Sequence, residues 1–376
     1  MDLSVVDLTS ELIRCHPVYR SPGVGKALDI AAEQLRGLGL DCDVHPYDGG
    51  HQLLAGHVFS PDGPHVVVNG HIDIENGGQA LPGPRHDDAH PDRIYGAGAS
   101  DMLGGIAALI ATVRDLLRRD DLTGRITLQI VIGRHLGGAS TRALFEEAAL
   151  PRADLAIIAE PTNRHVCTTA YGFACYRLRS VGSPGPMAYA TDRKNAGTHA
   201  ATALLALDSA NHRLQELYPT HQRIRYVLPG VIRAGTEAAT PAAEALVEFA
   251  MALPPLLPED TALKVVDTTI RSRFSAAGLP LPTWEPYGPK FPATSLGHTS
   301  FSNLLREVDP GLRWCQYPCP SDARAFQDLG IPMVLYGPGD LARTRQPGEY
   351  IEAGELHRYV RTLSTALARW LARGGG

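Results

Sequence analysis

What constrains this chain most is a repeated alternation of short apolar strands with helical stretches. His65-Val66-Val67-Val68-Asn69 reads as a buried strand that runs into Gly70-His71-Ile72-Asp73. Arg125 to Ile132 (RITLQIVI) and Asp154 to Ala159 (DLAIIA) read the same way. Runs this short and this rich in β-branched residues suit strands covered on both faces. Between and before them lie helical patterns. Gly25 to Leu40 has apolar residues at helical spacing and glycine-rich punctuation at its end. Gly104 to Leu117 is a strongly apolar helix opened by two glycines, and Thr141 to Ala148 is a further helix. Together they predict an α/β sheet with helices on both faces.

Near Tyr171 the texture changes. Ala174 to Val181 (ACYRLRSV) alternates polar and apolar residues, as an antiparallel strand with one wet face does. A glycine- and proline-rich turn, a long helix around Asn195 to Leu217, a strand at Ala245 to Leu253 and a helix from Pro258 to Ala276 follow. Two strands and two helices make a compact α+β insert. From about Pro289 the α/β pattern returns, with Ile331 to Tyr336 as a strand and Gly354 to Ala372 as the last helix. The predicted organisation is a discontinuous α/β domain, 1–172 with 290–376, interrupted by an α+β domain at 173–289. A length of 376 residues suits two cores better than one.

Charge narrows the functional classes. The chain has 40 acidic and 35 basic side chains, a net charge of −5, and no Lys/Arg block. A nucleic-acid partner is not expected. No apolar stretch is long enough to span a bilayer, and the first residues lack a basic n-region, so a cytoplasmic protein without membrane association is expected. The six cysteines are scattered, which suggests reduced thiols.

Three strand or loop ends carry metal-ligating side chains. His71 and Asp73 follow a buried strand directly, at the carboxyl end where α/β sheets place their ligands. Asp101 lies in a glycine-dense loop leading into a helix, and Glu160 follows the strand DLAIIA. One imidazole and two carboxylates make a plausible zinc shell with an open position. Any one of these residues alone is more simply a capped loop end; the set carries the reading. His199 reads as a partly exposed helix residue, and Asp322 with Arg324 as an ion pair holding a loop. His65 reads as structural, and His45, His51, His57, His86 and His90 as solvated loop residues.

In these residues the chain resembles the zinc aminoacylase/carboxypeptidase family of acetylornithine deacetylase, succinyl-diaminopimelate desuccinylase and glutamate carboxypeptidase. The matching segments are Gly70-His71-Ile72-Asp73, the loop Tyr95 to Met102, Ala159-Glu160-Pro161-Thr162, Ser321-Asp322-Ala323-Arg324, Gly330-Ile331-Pro332, and Gly337 to Tyr350. The resemblance implies a zinc-exopeptidase-like fold, a covered α/β sheet domain with an inserted α+β lid that often dimerises. A homodimer is therefore expected. It also implies His71, Asp101 and Glu160 as ligands of a first zinc, with Asp73 orienting His71.

The second half of the family's machinery is altered. Where the family has two consecutive glutamates, a general base and a second-metal ligand, this chain has Arg134 and His135. The family's second-metal histidine falls at Arg345, and its oxyanion-stabilising histidine falls near Pro186 or Met187. A guanidinium keeps its proton at any working pH, so Arg134 cannot act as a base. His135 could still coordinate or serve as base. The expectation is one zinc and a small-molecule carboxylate or N-acyl amino acid substrate, gripped by Arg134 and Arg345, with Arg324 and His298 at the edge of the site. Acyl transfer, amide formation or slow hydrolysis are the reactions implied. Two alternatives stand beside this: a working amide hydrolase that uses His135, and a non-catalytic protein that binds a ligand or partner.

Overall fold

The computed structural model describes residues 3–75, 83–133, 137–190, 194–220 and 224–372, with the side chains of residues 86 and 289 left out. Two compact units form: residues 1–169, 295–317 and 321–376 make one, and residues 170–294 with 318–320 the other.

The first unit is built on a mixed sheet. Its strands lie in the order Asp41–Tyr47, Gly50–Val58, Arg125–Val131, His65–His71, Leu155–Ile158, Met333–Leu335, Val166–Ala170 and Thr294–Ser295, and Trp314–Tyr317 also pairs with Val166–Ala170. The four from Arg125–Val131 to Met333–Leu335 run parallel, so their carboxyl ends share one edge. Helices Val5–Arg14, Pro22–Gly37, Gly104–Leu116 and Ala353–Ala372 bury one face with Val66, Val68, Ile126 and Leu128. Helix Ala139–Glu147 covers the other, where Leu54, Val131 and Leu144 form a smaller core. On that side Asn69 Nδ2 donates to Gln129 Oε1 at 3.2 Å and to Thr141 Oγ1 at 3.1 Å. The strand beside the Gly104 helix contains Gly70, where a Cβ would come within 2.6 Å of Met102 Cε. Glycine there lets helix and strand close up.

The inserted sheet is antiparallel, in the order Val227–Ala234, Glu244–Leu253, Gly172–Val181 and Thr283–Phe291. Helices Ala196–Leu217 and Glu259–Ala276 cover one face, around Tyr176, Val247, Phe249, Leu207, Val266 and Phe274. Sequence patterning suggests two strands in this insert; its sheet has four among the described residues. The additional strands are the sheet's two edges, and each carries at least one proline and a register irregularity, at Pro229/Val231 and Pro286/Lys290. Proline is tolerated at an edge because the missing N–H faces away from the ladder, which also hides such strands from a propensity reading.

Other expectations are corrected by packing. His199 is 1% exposed, not partly exposed, and sits edge-on to Phe274 against the insert's core. His45, His51, His57 and His90 lie in strands rather than loops. Cys167 and Cys315, expected as thiols, form a disulfide with a Cα–Cα distance of 4.5 Å. Their strands are neighbours in the sheet, which sets the two side chains face to face although 148 residues separate them. Cys15, Cys42, Cys175 and Cys319 take no part in a disulfide. Alkylation of the denatured, unreduced chain should therefore add four labels, and prior reduction should raise the mass by two more. Six labels without reduction would contradict the pairing.

His65 is structural, as its position at the start of a strand suggests. Its Nδ1 contacts Pro151 O at 3.1 Å and its Nε2 contacts Thr127 Oγ1 at 2.9 Å. Burial pushes the imidazole below its ordinary value, with backbone contacts at Arg152 and Pro151 opposing. A histidine with a lowered folded pKa contributes stability that is complete above its unfolded value, about 6.5, and is lost as pH falls through the folded value. Wild type should thus lose more stability between about pH 8 and about pH 5 than His65→Asn does. Equal losses, read as denaturation midpoints, would show that this imidazole is not the titrating group.

Candidate metal centre

The shared carboxyl edge brings the chemistry together. His71 ends its strand, Glu160 follows Leu155–Ile158 by two residues, and Ala159 N donates to Asn69 O at 3.1 Å to lock the two ends in register. Asp101 arrives from the loop between strand His90–Tyr95 and helix Gly104–Leu116, where the Asp101–Met102 peptide is cis. The three side chains are 1%, 2% and 5% exposed. His71 Nε2 lies 3.2 Å from Asp101 Oδ1 and 3.9 Å from Glu160 Oε2. One ligating atom from each residue falls within 4.8 Å of the others.

Two buried carboxylates converging on one imidazole nitrogen fit a divalent cation. The donor set is the nitrogen and oxygen set of zinc, and a cation there offsets the repulsion between the acids. The tautomer suits it as well. His71 Nδ1 lies 3.0 Å from the backbone oxygen of Asp73, which can only accept a hydrogen bond, so Nδ1 donates there and Nε2 is the nitrogen turned toward the carboxylates. Sequence resemblance suggests that the Asp73 carboxylate orients His71; the structure gives that task to the Asp73 carbonyl. The carboxylate turns away, and its Oδ1 accepts from Gly133 N at 2.9 Å. Asp73 thereby joins the His71 strand end to the residue just before Arg134.

Two supporting residues escape the sequence reading. Tyr317 donates its hydroxyl proton to Glu160 Oε2 at 2.9 Å. Glu349 is 5% exposed and braces the Asp101 loop: its Oε1 accepts from Ser100 N at 3.0 Å and Asp101 N at 3.3 Å, and its Oε2 from Arg345 N at 3.2 Å. Burial raises the Glu349 carboxyl above its ordinary value, the Ser100 N–H lowers it, and the Asp101 charge raises it again. Glu349 lies within a segment matched to the family, which is a signal that could have found it. Nothing around Tyr317 in the sequence marks it. If Glu160 binds metal, Tyr317→Phe should weaken metal affinity about 10- to 100-fold, the usual effect of removing such a partner. Competition with a chromophoric chelator measures this, and an unchanged affinity would separate Tyr317 from the site.

The remaining expected site residues fall as follows. Arg134 and His135 lie outside the described residues. Arg345 adopts a left-handed φ of 60° and pairs through Nη1 with Glu75 Oε2 at 2.8 Å. Arg324 pairs with Asp328 at 2.6 Å, one turn along its helix, rather than with Asp322 as expected. His298 is exposed, with its ring edge-on to Trp314 at 4.3 Å.

An imidazole and two carboxylates buried at the carboxyl edge of a mixed sheet, with an antiparallel sheet inserted in the chain, define the class of metallo-amidohydrolases. Within that class the model for peptidase family M20/M25/M40 matches residues 67–369, and the chain belongs to this family. It is 27% identical to the N-formyl-4-amino-5-aminomethyl-2-methylpyrimidine deformylase of Bacillus subtilis, over 88% of this chain and 85% of that protein. It is 31% identical to the succinyl-diaminopimelate desuccinylase of Rhodospirillum centenum, over 54% of this chain and 56% of that one. A tripeptidase from Staphylococcus aureus shares the fold with a TM-score of 0.76 at 16% identity, covering 99% of both chains. Human carnosine dipeptidase 1 does so with a TM-score of 0.74 at 15% identity, covering 98% of this chain and 96% of that one. Among the described residues no helix is long and apolar enough to cross a membrane.

Proposed function

We propose that this protein is a zinc enzyme acting at the C–N bond of a small N-acylated amine or N-acyl amino acid, by chemistry altered from simple hydrolysis. The observation that carries this reading is the buried convergence of His71, Asp101 and Glu160. The two curated relatives bear names for removal of an acyl group from nitrogen, formyl in one and succinyl in the other. Zinc, when bound, supplies a Lewis acid for the acyl carbonyl. The protein's own residues prepare the site for it. The Asp73 carbonyl fixes the His71 tautomer, Tyr317 holds Glu160, and Glu349 holds the Asp101 loop. Asp73 also accepts a hydrogen bond from Gly133 N.

Arg134 is the point of departure. A permanent cation where the family has its glutamate base suits the grip of a substrate carboxylate better than the removal of a proton. Arg345 would have to leave Glu75 to join it, so Arg134 takes the main role. Losing a general base typically removes a factor of about 10²–10⁴, which leaves slow hydrolysis or transfer of the acyl group to another amine. We place the enzyme in the cytoplasm as a homodimer formed through the inserted unit.

Elemental analysis and an acyl-release assay test the proposal together. Protein purified without chelator should carry about one zinc per chain. It should release or transfer the acyl group of N-formyl or N-succinyl amino acids slowly, and Arg134→Glu should raise hydrolysis by about 10²-fold. Metal-free protein with no turnover in either form would falsify the reading.

A further inference from the structure

The inserted sheet has a second face, opposite its two helices, and that face carries a charge pattern of its own. Strand register sets Thr283, Arg179, Leu246 and Arg233 in one row across all four strands. Paired residues in register point to the same side, so both guanidiniums rise from the face that bears Leu246. Two strand spacings separate them, about 10 Å, with the half-buried Leu246 side chain as floor between. Glu244 stands two residues from Leu246 on the same strand and therefore on the same face.

The row borders a cleft of about 590 Å³ lined by Arg179, Arg233, Leu246, Glu244, Thr240 and Thr283, among others. That is the volume of a small-molecule site. Its charges are only partly spent. Arg179 reaches Glu285 at 3.9 Å, a loose pair in which both side chains are more than half exposed. Arg233 and Glu244 have no oppositely charged group within 4 Å among the described residues. One row along, Arg177 is fully engaged, bonded to Glu248 at 2.9 Å and 2.5 Å and stacked on Tyr287. The sheet thus neutralises one arginine tightly and leaves the next row with only the loose Arg179–Glu285 pair.

Two guanidiniums flanking an apolar floor, with one carboxylate beyond, are complementary to a zwitterion rather than to a bare anion. We propose that this cleft binds a free α-amino acid with an apolar side chain. Arg179 and Arg233 close on its carboxylate from two sides, Glu244 receives its ammonium group, and its side chain lies on Leu246. A simple anion would meet Glu244 unpaired, and a simple amine would meet two cations.

Calorimetric titration of the full chain with L-leucine tests this, with isopentylamine and 4-methylpentanoate as the two half-ligands. Leucine should bind saturably and at least about tenfold more tightly than either half, a difference of about 1.4 kcal/mol. Arg233→Ala should weaken leucine about tenfold or more, and Glu244→Gln should reduce it to the level of 4-methylpentanoate. His71→Ala must leave leucine binding unchanged, which separates this site from the metal centre and from the proposed reaction. No saturable binding, equal affinity for leucine and 4-methylpentanoate, or leucine binding that survives Arg179→Ala/Arg233→Ala but not His71→Ala would each overturn it.

Discussion

His71→Ala protein should come off the column without zinc, its content falling from about one ion per chain to nearly none. The imidazole is the only neutral donor among the three clustered groups, and it is the residue whose nitrogen lies close to both acids, at 3.2 Å and 3.9 Å. Without it, Asp101 and Glu160 remain as two buried carboxylates with no nitrogen donor beside them. Two oxygen ligands would leave a divalent ion held mainly by water. Acyl release or transfer should disappear with the metal. The fold should survive, because truncating the His71 side chain leaves the backbone pairing of its strand with Arg125–Val131 in place. Circular dichroism on the same sample distinguishes loss of metal from loss of structure. A folded variant that keeps a full complement of zinc would move the metal site elsewhere and remove the basis for the catalytic proposal.

Gly337→Ala should be nearly as damaging by a different route. A Cβ at Gly337 would lie 2.3 Å from both Ala159 O and Glu160 O. These are backbone atoms in the segment that carries Glu160, so no side chain can swing aside to make room. Overpacking of this kind costs about 1–3 kcal/mol and sometimes more. The strain acts where Thr162 Oγ1 and Gly337 also exchange hydrogen bonds, at 3.1 Å and 3.2 Å. Relief requires the Glu160 strand end to move, so metal affinity should fall along with stability. Gly25→Ala is the control. It lies inside helix Pro22–Gly37, a Cβ there meets nothing within 4 Å, and alanine should stabilise by about 0.5–1 kcal/mol. If both substitutions proved harmless, close packing around Glu160 would have no energetic weight.

The covered sheet was legible because its strands are buried on both faces and read as continuous apolar runs, and its helices carry a clear period. Arg125–Val131 and Gly104–Leu116 fall within a residue of where the pattern puts them. Strands Val227–Ala234 and Thr283–Phe291 were not legible, since their prolines argue against any strand until the sheet edge is known. His199 illustrates a related failure. A single histidine on a long helix looks solvated unless one knows that the helix turns that position onto a sheet. Tyr317 and Glu349 belong to the same group. Their importance lies in a neighbour 157 residues away for one and 248 for the other.

By itself the sequence determined the alternation of strand and helix, the insertion of a second module, and the residue types able to bind a metal at strand and loop ends. These depend on local periodicity and on chemistry intrinsic to each side chain. Only the tertiary structure decided that the Asp73 carbonyl rather than its carboxylate meets His71, that Arg324 turns to Asp328, that Arg345 is taken by Glu75, and that Cys167 meets Cys315. It also decided that Arg179 and Arg233 share a row. The physical reason is the same throughout: each of these contacts follows from packing, from strand order and register or from a chosen rotamer, and none of those is written in the spacing of residues along the chain.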